Sequence, residues 1–158
     1  MSVGFHVAIR DGDLKGFEVY DHENEQGHMF PDYKEAVKGW HELGADSMSW
    51  SISPCYDIPD DCSVSMCNSN AADVVEALGY PREDYCSGEA EPDDLIGRCL
   101  IAEAIAPDPE LPAYEQVGQR GAKLIDVGRD AGYIREKCSQ IRALAEQAKL
   151  MGRTVVWN

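Results

Sequence analysis

Apolar and polar residues alternate from the start of the chain. Phe5, Val7 and Ile9 are separated by polar or small residues, and Phe17 and Val19 resume the same alternation. Asp11-Gly12 lies between the two runs and has tight-turn chemistry, so the pattern predicts a β-hairpin. Residues 21–28 are polar and read as a loop. From Pro31 to Leu43 the period changes: Tyr33, Val37, Trp40 and Leu43 keep helical spacing, Pro31 sits in the first turn and Gly44 follows the last. Met48, Trp50 and Ile52 alternate with serines and predict another strand. Residues 1–54 therefore read as a β-β-α-β unit.

Residues 54–62 form a loop with Pro54, Pro59 and three aspartates, and Val64 and Met66 suggest a short strand. Asn70 is placed to cap a helix that runs to Leu78 and closes at Gly79. Residues 81–92 read as an acidic loop. Leu95, Ile96, Cys99, Leu100 and Ala104 then give an amphipathic helix, ended by Pro107, Pro109 and Pro112. Residues 123–127 predict a strand. Ile134, Cys138, Ile141, Leu144, Ala145 and Ala148 form one stripe of a long helix, Gly152 stops it, and residues 154–157 are a last strand. Strand, long helix and strand together predict a right-handed βαβ unit with parallel strands. The expected fold is α+β: a mixed sheet flanked by helices, with an N-terminal β-β-α-β unit and a C-terminal βαβ unit. Its 158 residues suit one domain, with 1–54 and 63–158 as the natural subdivision.

Composition adds less than charge does. A hydrophobic fraction of 44% excludes the disordered class. No apolar run approaches the roughly 18 residues of a membrane span. Residues 1–6 have no charged region leading into an apolar stretch, so a cytoplasmic protein with six thiols is expected; a secreted chain lacking its leader is the other reading. Net charge is −15, and it is uneven. Residues 1–110 hold 24 acidic and 6 basic side chains, whereas residues 111–158 hold 5 and 8. Asp57, Asp60 and Asp61 form one acidic group, and Glu83, Asp84, Glu89, Glu91, Asp93 and Asp94 a denser one. Such a surface repels nucleic acid and attracts a basic groove on another protein. Two readings follow: a face that competes with nucleic acid for a basic partner, or a solvated surface that maintains solubility.

Catalytic motifs are absent from the pattern. Asp11 to Gly16 begins like a calcium loop, but Lys15 and His22 stand where ligands are required, so a hairpin turn is the better reading. Cys55, Cys62 and Cys67 are close enough in sequence to meet at a metal, yet no pair has the spacing of a zinc site. His41-Glu42 lacks a second histidine. No nucleophile elbow, phosphate loop or dinucleotide fingerprint is present. No cofactor and no catalytic residue are therefore expected. One feature suits an anion: Gly128, Arg129, Asp130 and Gly132 join a strand to the N-terminus of the long helix, where backbone N–H groups and the helix dipole meet. A plain connecting turn with Asp130 as the cap also accounts for these residues.

Residues 68–157 resemble a family of small uncharacterised proteins of actinobacteria and their phages. The resemblance is carried by Asn68, Asn70, Leu78-Gly79, Cys86, Leu95-Ile96-Gly97-Arg98, Gly128-Arg129, Gly132-Tyr133 and Val155-Val156-Trp157. That family has no assigned activity, so the resemblance implies no catalytic residue; its phage association implies an accessory or anti-defence role. The expected function is a non-enzymatic acidic protein that occupies a basic, nucleic-acid-binding groove of a partner protein. A nucleotide- or phosphate-binding protein built on the Gly128–Gly132 turn is the alternative.

Overall fold

The computed structural model describes residues 2–10, 12–46, 48–59, 62–117, 123–126 and 128–158. In chain order the elements are β1 (Ser2–Val7), β2 (Leu14–Asp21), β3 (Gln26–Phe30), α1 (Tyr33–Glu42), β4 (Trp50–Tyr56), β5 (Ser63–Cys67), α2 (Asn68–Ala77), a 3-10 turn (Arg82–Cys86), β6 (Gly88–Ala90), α3 (Pro92–Ile105), β7 (Tyr114–Val117), β8 (Lys123–Asp126), α4 (Tyr133–Leu150) and β9 (Val155–Trp157). They form two compact units, Ile9–Pro59 and Met1–Ala8 with Asp60–Asn158. No described helix is long and apolar enough to cross a membrane.

The smaller unit is an antiparallel sheet in the order β3-β2-β4, with α1 packed on it. Asp32 caps α1 by accepting the Glu35 N–H at 2.9 Å. The buried face of α1 is Ala36 and Gly39, while Tyr33 and Leu43 are exposed. The β-β-α-β order holds, but β2, β3, α1 and β4 supply it. The hairpin expected between the first two strands does not form. Its turn exists, with the Asp13 N–H donating to the Arg10 carbonyl at 3.0 Å. However, β1 pairs with β5 and β9, whereas β2 pairs with β3 and β4. A turn signal sets a local reversal and does not choose the partner strand. The expected polar loop contains the start of β3, introduced by Asp21, whose carboxylate accepts the N–H groups of Glu23 and Asn24.

The larger unit is built on an antiparallel sheet in the order β5-β1-β9-β6. The predicted stripe of α4 is buried throughout, from Ile134 to Ala148. It packs on α3, which buries Pro92, Leu95, Cys99 and Ala102. Leu100 and Ala104, expected on the α3 stripe, are exposed. Burial pushes the thiols of Cys99 and Cys138 up to about 12, so both are neutral and unreactive near pH 7.

The fold class is α+β, as expected. Every described strand pairing is antiparallel, so the sheet is not mixed. Nor is the C-terminal strand-helix-strand segment a parallel βαβ unit: β8 pairs with β7, and β9 enters between β1 and β6. The side chain of Trp157 explains where β9 goes. Its ring stacks on Phe5 with centroids 5.1 Å apart and lies 5.2 Å from Tyr80. Opposite it in the ladder stands Gly88, where a Cβ atom would lie 2.0 Å from the indole. Only glycine leaves the ring that space.

Gly88→Ala is therefore expected to lower stability by about 1–3 kcal/mol, the usual effect of overpacking. Urea denaturation measures it, and near-UV circular dichroism should show a displaced tryptophan; an unchanged midpoint contradicts this packing.

Candidate functional site

The indole N–H of Trp157 donates to the Asp84 carbonyl at 3.0 Å, tying the 3-10 turn to the sheet. The chain then forms β6, an edge strand, and enters α3 through Pro92. Glu83, Asp84, Glu89, Glu91, Asp93 and Asp94 are all exposed along this stretch. Their charges are not equally available. Arg98 donates to Asp94 at 2.7 Å and holds its carboxyl below the usual range. The Arg98 guanidinium also lies 4.4 Å from the centre of the Tyr80 ring and donates to the Leu78 carbonyl at 3.1 Å. Asp93 accepts from Lys149 at 2.5 Å. Glu89 accepts the Thr154 hydroxyl at 2.7 Å. Among the described residues, Glu83, Asp84, Glu89 and Glu91 have no lysine or arginine partner.

The other expected contact residues stand apart from this edge in the chain. Asp57 belongs to the smaller unit and pairs with Lys15 at 2.7 Å. Asp60 and Asp61 lie outside the described residues. Cys55 is in β4, Cys62 is buried and Cys67 is half-buried at the end of β5. Among the described residues, no three His, Cys, Asp or Glu side chains come together to hold a metal ion.

The turn before α4 is held tightly from within. Leu111 and Arg129 exchange two backbone hydrogen bonds of 2.8 Å. Gly128 has φ 68°, and a Cβ there would lie 2.4 Å from the Leu111 carbonyl oxygen. Asp130 does not cap the helix. Gly132 occupies the N-cap position, and the carboxylate of Asp108 accepts the N–H groups of Ile134 at 3.0 Å and Arg135 at 2.9 Å. The helix end that the turn was expected to offer an anion is thus filled by the protein's own carboxylate.

Arg129 points elsewhere. Its side chain is only 6% exposed and is paired with Asp73 of α2. Asp73 also accepts from Arg82, which reaches Glu76 at 2.8 Å. The chain Glu76–Arg82–Asp73–Arg129 joins α2, the 3-10 turn and the Gly128–Gly132 turn, yet among the described residues Arg129 Nε has no hydrogen-bond partner. Two clefts share Arg129 as a wall. One, of about 500 Å³, has Asp73 and Glu76 beside Ile101, Ile105 and Pro107. The other, of about 480 Å³, is lined by Cys67, Asn70, Glu110, Asp130 and Tyr133 among others. Asp73 and Asp108 carried no motif; a carboxylate that serves a distant helix leaves no local pattern.

Asp108→Ala should destabilise the protein by about 1–2 kcal/mol, the range for a lost helix cap, while Asp130→Ala should change it by less than about 0.5 kcal/mol. Thermal or urea unfolding of the two variants decides the assignment; the reverse order contradicts it. Comparison with known proteins finds no matching family model, no matching curated protein and no matching solved structure.

Proposed function

We propose that this chain is a non-enzymatic binding protein that engages a basic protein surface through the acidic β6 edge and competes there with nucleic acid. One observation carries the reading: six exposed carboxylates follow one short, anchored stretch, and four of them lack a cationic partner among the described residues. Unneutralised charge on an anchored backbone steers a complementary surface and sets its register. It also repels nucleic acid directly, since binding phosphates requires cations. The resemblance to phage-associated proteins supports an inhibitory, anti-defence role for such an edge, in the cytoplasm where nucleic-acid-binding targets reside.

The expected partner is a protein with a nucleic-acid-binding groove. Immobilised protein should retain it at low salt and release it both to excess double-stranded DNA and at about 0.5 M salt, where screening acts within a few ångströms. The quadruple variant Glu83→Gln, Asp84→Asn, Glu89→Gln, Glu91→Gln should lose retention while keeping its unfolding midpoint. Retention that survives DNA and salt, or that the quadruple variant preserves, contradicts the proposal.

A further inference from the structure

The sheet of the larger unit has a second edge, β5, on the side opposite β6. Gly4 of β1 donates its N–H to the Asn158 carbonyl at 2.9 Å and accepts the Asn158 N–H at 3.2 Å, so its backbone faces the β9 side. Ser65 stands opposite Gly4 in the ladder between β1 and β5. In an antiparallel pair that position is non-hydrogen-bonded, and the N–H and C=O of Ser65 face outward. Two residues earlier the same holds for Ser63, opposite His6. Both serines are exposed, and β5 contains no charged residue. Edge strands are usually blunted by charge, proline or a covering element; β6 has its carboxylates, whereas β5 has no charge of its own. One lysine reaches it from α4. Lys137 donates to the Ser65 carbonyl at 3.3 Å and to Gln140 Oε1 at 3.0 Å, and Gln140 donates in turn to Glu136 at 3.0 Å. Among the described residues, no carboxylate lies within ion-pair distance of the Lys137 ammonium.

A cleft of about 280 Å³ lies between this edge and α4, lined by Ser63, Val64, Gln140, Ala143, Leu144 and Gln147. Val64 and Leu144 are its buried apolar members, and none of the six is acidic in a chain of net charge −15. Small-molecule sites usually measure about 300–1,000 Å³; this cleft suits a single side chain of a strand laid along β5. We propose that β5 and α4 form a docking groove for an extended peptide segment of a partner protein, which joins the sheet antiparallel to β5 and carries an acidic residue two positions before an apolar one. The apolar side chain sits over Val64 in the cleft. The acidic one falls on the same face, one strand period away. It lies towards the C-terminal end of β5, where Lys137 reaches Ser65. The residue between them exchanges two backbone hydrogen bonds with Ser65. Its N–H replaces the ammonium on the Ser65 carbonyl and frees Lys137 for a charge-assisted bond to the peptide carboxylate. A second copy of this chain would bring its own charge of −15 to the groove, whereas a peptide brings the carboxylate that Lys137 fits. This groove is at the opposite edge from β6 and does not depend on the role of that edge.

Fluorescence polarisation with labelled, terminally blocked threonine peptides tests it. The probe holds aspartate, threonine and valine in that order; its controls replace the aspartate by lysine, reverse the order, or N-methylate the threonine between. The probe should bind saturably, with each control about tenfold weaker or more, as loss of one charged or backbone-paired hydrogen bond implies. Ser65→Pro removes an N–H that faces outward, which an edge strand tolerates; it should abolish binding and keep the unfolding midpoint. Should that variant fail to fold, Lys137→Gln decides: it should bring the aspartate and lysine peptides to equal affinity. The proposal is overturned if the probe does not bind at millimolar concentration, if a control binds as tightly, or if Lys137→Gln leaves the preference for aspartate intact. Sedimentation that shows self-association abolished by Ser65→Pro would assign the edge to a second copy and overturn it equally.

Discussion

Trp157, one residue from the chain's end, is the contact on which the larger unit depends. Its strand lies between β1 and β6, so the sheet is continuous only when β9 is in place. The ring is 3% exposed, stacked on Phe5 and tilted against Tyr80. A buried aromatic of this size dominates its neighbourhood energetically, and its N–H requires an acceptor. The Asp84 carbonyl meets that requirement. A core contact thereby fixes the backbone from which the acidic side chains project.

The acidic edge and the Arg129 network are two answers to one electrostatic problem. With a net charge of −15, the chain must either neutralise carboxylates or leave them in water. Asp73 is only 20% exposed and is matched by two arginines; removing one partner of such a pair leaves an uncompensated charge and is strongly destabilising. Glu83, Asp84, Glu89 and Glu91 are solvated, where repulsion at 4 Å is only about 1 kcal/mol per pair. Edge strands are commonly protected from self-association by charge, and β6 gains that protection from the same residues. Asp93 and Asp94 are instead paired with cations on α4 and α3.

What could be read from the sequence follows the range of each interaction. The α4 stripe is local, repeats over several turns, and is buried as its spacing predicts. Asp11-Gly12 marks a turn, but the choice of partner for β1 rests on Phe5 meeting Trp157 at the far end of the chain. β3 was hidden because Gln26 to Phe30 lacks clean alternation and is half-exposed or exposed throughout. Asn70 has the chemistry of a cap, yet it lies inside the first turn of α2, buried against Tyr133. In the candidate site, the acidic residues were legible as a cluster, whereas their inequality was not: the partners of Asp93 and Asp94 are contributed by helices whose packing sequence spacing does not disclose. The capping of α4 by Asp108 lay equally beyond local pattern.

Hydrogen exchange on the complex with the captured basic partner tests the central claim most directly. The account predicts new protection in the backbone amides of residues 83–91 and none along the exposed Leu100 to Ile105 face of α3. Protection on α3 with residues 83–91 exchanging as in the free protein would contradict it.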